Sequence, residues 1–151
     1  MTTPGAPDAS APFTPQARHL AVVSGGSGDP SQTRMLAERM AESASAALSE
    51  HGVVPQIHLI TLRELAVDIA QALVTFAISP ALRAALDEVA QADAVIAVSP
   101  TYKASYSGLF KSFWDLAEPT SVVGVPVLLG ATGGTARHLS LIHISEPTRP
   151  L

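Results

Sequence analysis

The sequence predicts an α/β domain with a parallel sheet covered by helices on both faces. Short, wholly apolar runs alternate along the chain with segments of helical periodicity. Polar or glycine-rich stretches follow the first, third and fourth of these runs. The apolar share of 47% is rich in alanine, which packs helices closely on a sheet. At 151 residues the chain suits one domain with a sizeable core.

His19-Leu20-Ala21-Val22-Val23-Ser24 reads as a buried first strand entering a glycine-rich turn. From Ser31, the residues Leu36, Met40, Ala44, Ala47 and Leu48 recur at helical spacing, and Gly52 supplies the stop. Val53 to Ile60 is branched and apolar, a second strand interrupted by His58. Arg63 to Ile78 fits either one helix or a short helix followed by a loop. Ser79-Pro80 is a helix start, serine as N-cap and proline at the first turn, with Leu82, Ala85, Leu86 and Val89 on one face of a helix reaching about Ala92. Ala94 to Ser99 is the third strand, Ser107 to Leu116 a further helix, and Val125 to Gly130 the fourth strand. In an open parallel sheet of this kind ligands bind beyond the carboxyl ends of the strands, where the strand order reverses.

Charge and composition exclude several functions. A formal charge of −4 with no basic stripe argues against nucleic acid as a partner. No apolar run approaches the roughly 18–20 residues needed to cross a bilayer, so the reading is a cytoplasmic protein without membrane partners. Cysteine is absent, which removes disulfides, thiolate ligands and thiol nucleophiles. His19, His51, His58 and His138 lack metal-ligand spacing, so no metal is expected. Ser105 and Ser107 lack the surroundings of a hydrolase nucleophile, and Asp87 and Glu88, adjacent on a helix, diverge rather than forming a dyad.

Three segments at the predicted switch point can carry chemistry. Ser24 to Arg34 combines glycines, the hydroxyls of Ser24, Ser27, Ser31 and Thr33, and a following helix N-terminus, which together suit a phosphate. It is neither a Walker loop nor a dinucleotide fingerprint, and an ordinary capped turn has the same composition. Asp29 fits poorly, because a carboxylate repels a phosphate dianion unless it points away. Pro100 to Lys111 places Tyr102, Tyr106 and Lys103 after a buried strand, where they either meet a flat heteroaromatic ligand or cap the sheet. Phe110, Phe113 and Trp114 form a core or subunit-contact stripe. Thr132-Gly133-Gly134-Thr135 offers backbone amides at the same edge, or is a plain turn.

Over residues 20–138 these motifs resemble the NAD(P)H-dependent FMN reductases of flavodoxin-like fold, most specifically in Pro100-Thr101-Tyr102-Lys103-Ala104-Ser105-Tyr106-Ser107-Gly108-Leu109-Phe110-Lys111. The resemblance implies strand order 2-1-3-4-(5), with FMN contacts at Ser27, Ser31, Gln32, Thr33, Pro100, Thr101, Tyr102, Lys103, Thr132, Gly133 and Gly134. It implies FMN and NAD(P)H as cofactors, hydride transfer from nicotinamide to flavin without a side-chain acid or base, a partner monooxygenase that receives reduced FMN, and a homodimer. Many members carry arginine two positions beyond the serine matching Ser27, where this chain has Asp29, and Arg34 does not simply replace it. A flavodoxin-like electron carrier, a quinone or azo-dye reductase and a regulatory phosphate-binding domain are the alternatives.

Two ends are expected to lie outside the domain. Residues 1–19, with Pro4, Pro7, Pro12 and Pro15 among small residues, read as a disordered tail. Residues 139–151, beginning Leu139-Ser140-Leu141-Ile142-His143-Ile144, resemble the translation of a sequencing-library adapter, with a short amphipathic strand as the alternative. On that reading the family's last strand and helices are missing after His138, the fourth strand is left as an apolar edge prone to aggregation, and the truncated chain is expected to be inactive.

Overall fold

A computed structural model describes residues 16–135. The proposed N-terminal tail up to residue 15, the adapter-like segment, and Arg137 and His138 lie outside the described residues.

The elements follow the expected alternation. They are β1 (Gln16–Ser24), α1 (Gln32–Glu50), β2 (Val53–Thr61), a 3-10 turn (Leu62–Leu65), α2 (Ala66–Thr75), α3 (Pro80–Ala90), β3 (Ala94–Tyr102), β4 (Ser105–Tyr106), α4 (Gly108–Leu116) and β5 (Val127–Thr132). β1 pairs in parallel with β2 on one side and β3 on the other, and β5 pairs in parallel with β3. The order β2-β1-β3-β5 is the expected 2-1-3-4, since the expected fourth strand is β5. Pro55 is accommodated because β2 lies at the sheet edge, where a missing N–H interrupts no inner ladder.

Alternation along each strand sends side chains to opposite faces. Leu20, Val22, Ile96 and Val98 pack with Ala37 and Ala41 of α1. Ala21, Val23, Val95 and Ala97 pack on the other face with Ile69 and Ala72 of α2, Leu82, Leu86 and Val89 of α3, and Phe113 of α4. Helices therefore cover both faces. Fully burying a residue such as Val22 or Val23 stabilises the fold by about 1.5–3 kcal/mol.

The open choice between Arg63 and Ile78 resolves into a 3-10 turn and a ten-residue helix. Phe76, with φ of 60°, ends α2 in the left-handed region and donates its N–H to the Ala72 carbonyl. Ser79 accepts from the Leu82 N–H and caps α3, which ends at Ala90, slightly before the expected Ala92. Gly52, with φ of 74°, follows α1 as expected.

Two boundaries move. β1 starts at Gln16, inside the span assigned to the tail, and pairs there with Val53 of β2. The polar residues before Leu20 carry no strand signal, so the backbone pairing was invisible in sequence. β5 starts at Val127 and extends to Thr132, later than the expected Val125 to Gly130, because the Pro126 carbonyl only leads in by accepting from Val95 N–H. Val127, Leu128 and Leu129 are 44%, 52% and 64% exposed, an apolar edge strand that α1 covers only in part among the described residues.

At the amino end of the sheet, Asp93 accepts from the His19 backbone N–H at 2.8 Å and pairs with Arg18 at 2.9 Å. The His19 hydrogen bond, and then Arg18, hold the Asp93 carboxyl below its ordinary value of 3.8. A depressed carboxylate contributes stability that is present above its unfolded value and is lost as pH falls through the folded one. Asp93→Asn is therefore expected to flatten the loss of stability below about pH 3.8 while removing some stability at neutral pH, read from urea midpoints across pH.

Candidate functional site

The crevice lies where chain direction out of β1 and β3 diverges, at their carboxyl ends. Gly25 N–H donates to the Val98 carbonyl at 2.8 Å, continuing the β1–β3 ladder one step and fixing where the loop leaves the sheet. The loop then reaches Ser31, whose side chain accepts from Arg34 N–H at 3.2 Å and caps α1, while its carbonyl accepts from Met35 N–H. By helix geometry the amides of Gln32 and Thr33 have no partner within α1, so the positive end of the helix faces the crevice.

Two side-chain hydrogen bonds draw the three loops together. Ser27 Oγ and Tyr102 OH lie 3.1 Å apart, joining the first loop to the end of β3. Thr33 Oγ1 and Thr132 Oγ1 lie 2.9 Å apart, joining the start of α1 to the end of β5 across 99 positions. A third tie runs beneath them. Ser107, the N-cap of α4, accepts from Phe110 N–H and donates its hydroxyl to the Gly25 carbonyl at 3.2 Å, while its own N–H donates to Ser99 Oγ. Such bonds are each worth about 0.5–1.5 kcal/mol net, but a buried partner left unpaired costs about 1–3 kcal/mol.

These ties enclose a cavity of about 280 Å³ lined by Gly26, Ser27, Gly28, Pro30, Ser31, Gln32, Thr33, Pro100, Thr101, Tyr102, Thr132, Gly133 and Gly134. Ten of the eleven residues expected at the ligand are in this lining. Lys103 is not. It sits with Ala104 at the tip of the β3–β4 hairpin, with φ of 51° and 63°, the backbone of a tight two-residue turn. That hairpin was not legible in sequence, since Lys-Ala lacks the glycine or asparagine that such turns favour.

Among the described residues no charged side chain lines the cavity. The described lining would hold an anion through hydroxyls, amides and the α1 dipole. Asp29 is the one residue between Gly26 and Thr33 outside the lining; its carboxylate turns outward and pairs with Arg63 at 3.0 Å. Arg34 also faces away, Nε donating to Glu38 Oε1 at 2.9 Å, and this hydrogen bond raises the guanidinium above its ordinary value. Lys111 is tied to Asp115 along α4. Phe113 is fully buried, with Phe110 and Trp114 packed partly buried beside it, so the aromatic stripe belongs to the core.

Sequence reading missed Ser107 and Arg63. Ser107 stands directly ahead of a helical run, the mark of an N-cap. Arg63 carried no local signal, because its partner lies 34 positions away.

Whether this cradle fits a flavin phosphate can be judged from what is left incomplete. Thr101 Oγ1 is buried in the cavity wall with no partner, and Ser24 Oγ lies buried and unpartnered at the end of β1. A Cβ on Gly26 would stand 2.3 Å from Ser31 Oγ, so the backbone approaches there as only glycine permits. A cradle of hydroxyls and amides with an unused hydroxyl donor in its wall suits a phosphate monoester with a polar tail. Among the described residues no cluster of His, Cys, Asp or Glu could hold a metal, and no single helix is long and apolar enough to cross a membrane.

Fold and site together define a flavodoxin-like α/β architecture with a loop-lined cavity at the switch point. Comparison with known proteins is more specific. The family model for NADPH-dependent FMN reductase matches residues 19–145. The NADH-dependent FMN reductase SfnF of Pseudomonas putida is 39% identical over 132 residues, covering 87% of this chain and 68% of SfnF. The FMN reductase (NADPH) of Pseudomonas aeruginosa is 36% identical over 129 residues, covering 85% and 67%. Among solved structures, an oxidoreductase from Corynebacterium diphtheriae superposes with a TM-score of 0.82 at 34% identity, covering 86% of this chain and 71% of that one. The apo form of the NADH:FMN oxidoreductase EMOB gives 0.71 at 29% identity, covering 85% and 65%. The chain belongs to the NADPH-dependent FMN reductase family, spanning about two thirds of the length of these relatives. It is an NAD(P)H:FMN oxidoreductase by family, with FMN and NAD(P)H as its cofactors.

Proposed function

We propose that this chain holds the FMN phosphate in the neutral cradle formed by Ser27, Ser31, Gln32 and Thr33, and the flavin ring against Pro100, Thr101, Tyr102 and the 132–134 backbone. The observation that carries this reading is the pair of hydrogen bonds, Ser27–Tyr102 and Thr33–Thr132, that brings three loops distant in sequence to one cavity. Bound FMN supplies the hydride acceptor and nicotinamide the donor. The residues here bind and orient: hydroxyls and amides at one end fix the phosphate, while the β3–β4 hairpin places Tyr102 beside the ring position. No side chain in the lining is a strong acid or base, which suits a reaction that asks for none. Lys103, on the hairpin tip, stands outside the described cavity lining.

Reduced FMN then passes to a partner monooxygenase, the enzyme acting in the cytoplasm as a homodimer. The test follows NADH or NADPH oxidation at 340 nm with the 151-residue chain and added FMN. Turnover that saturates in FMN supports the reading. FMN binding without nicotinamide oxidation would turn the reading into that of an electron carrier, and oxidation supported by quinone but not FMN would make it a quinone reductase.

A further inference from the structure

The loop that the proposed function assigns to phosphate contains an acid, Asp29, in a cradle with no charged lining residue among those described. In a site built only from dipoles, the nearest unit charges decide how well a dianion is tolerated. Asp29 is paired by Arg63, and sheet register explains how. Ser24 at the end of β1 is level with Thr61 at the end of β2. The 3-10 turn that starts at Leu62 therefore rises beside the loop that starts at Gly25, and Arg63 on it reaches Asp29 Oδ2 at 3.0 Å.

The neighbouring charges cannot substitute. Arg34 is held by Glu38 on α1, and it feels both Glu64 and Asp29. These five groups leave one net negative charge beside the loop, and removing Arg63 leaves two. Both members of the Asp29–Arg63 pair are exposed, so as a surface ion pair it contributes little to folding. Its consequence falls on a ligand charge instead.

We propose that Arg63 is a positioning and specificity residue: by turning Asp29 outward and cancelling its charge, it allows the loop to accept the phosphate of FMN. This rests on the flavin reading above. It assigns to a residue on the neighbouring strand's turn the neutralising role that the loop itself, carrying Asp29, does not fill.

The test is flavin fluorescence quenching by the full 151-residue chain, with FMN and riboflavin titrated in parallel. Arg63→Ala is expected to weaken FMN about fivefold at low salt while changing riboflavin less than about twofold. The deficit should shrink below about twofold in 1 M salt, where the screening length is about 3 Å. Asp29→Asn alone should bind FMN more tightly than wild type, and Asp29→Asn with Arg63→Ala, which has the wild-type net charge, should return to within about twofold of it. Arg63→Gln, which keeps much of the side chain's packing, should repeat the Arg63→Ala pattern. Unchanged FMN affinity in Arg63→Ala, an equal loss for riboflavin, or no restoration by Asp29→Asn would each overturn the proposal. A wild-type chain that binds neither flavin would overturn the flavin reading itself, and this inference with it.

Discussion

Gly26→Ala is expected to weaken FMN binding by about 100-fold, near 2.7 kcal/mol, the largest loss from any single methyl group in this site. The added Cβ would lie 2.3 Å from Ser31 Oγ, 2.9 Å from Thr33 Cβ and 3.1 Å from Thr33 Oγ1. Neither neighbour is free to yield. Ser31 Oγ caps α1 through the Arg34 N–H, and Thr33 Oγ1 is the hydroxyl that meets Thr132. Relief therefore costs the cap, about 0.5–2 kcal/mol, or the tie between the first and third loops, or both. Quenching titrations give the affinity and urea midpoints the stability. Gly28→Ala is the control, since a Cβ there meets only the Pro30 carbonyl at 3.3 Å. An affinity for Gly26→Ala within about threefold of wild type would show that the phosphate does not use this approach.

Phe113→Ala is expected to cost about 3–5 kcal/mol of folding stability, a large fraction of the roughly 5–15 kcal/mol of a typical domain. Phe113 is fully buried and meets Trp114 edge-on at 5.4 Å and 78°. It joins α4 to the core that also contains α2 and α3. The site depends on the same helix, because Ser107 at its start donates to the Gly25 carbonyl and Phe110 packs where a Gly25 Cβ would stand, 3.0 Å away. Loosening α4 should therefore cost flavin affinity as well as stability. Phe113→Leu, which retains most of the volume, should lose under about 1.5 kcal/mol. A drop below about 1 kcal/mol for Phe113→Ala would mean the cavity collapses freely and α4 is not held by this contact.

The site was more legible than its electrostatics. Glycines, hydroxyls and the following helix mark the first loop in any sequence, and the apolar run before Pro100 places the second at the end of a strand. Periodicity also located the helices, since each buries one stripe. Boundaries were less visible where pairing, rather than burial, forms the strand. Gln16 to Arg18 is the example, a stretch without an apolar run joined to β2 by strand pairing. The β3–β4 hairpin shows another limit, because Lys103 and Ala104 adopt left-handed backbone that their side chains do not announce.

From sequence alone follow the alternation of strands and helices, the parallel sheet and a glycine- and hydroxyl-rich loop beyond the first strand. These are local: each rests on residues within one or two turns or one strand. Tertiary structure alone decided which side chains meet. Thr33 with Thr132, Ser27 with Tyr102, and Asp29 with Arg63 are pairs set by sheet register and loop direction, over separations at which spacing in the chain carries no distance information. Asp29 changes meaning for that reason. In sequence it opposes a phosphate; in the fold it stands outside the described cavity lining, paired with Arg63.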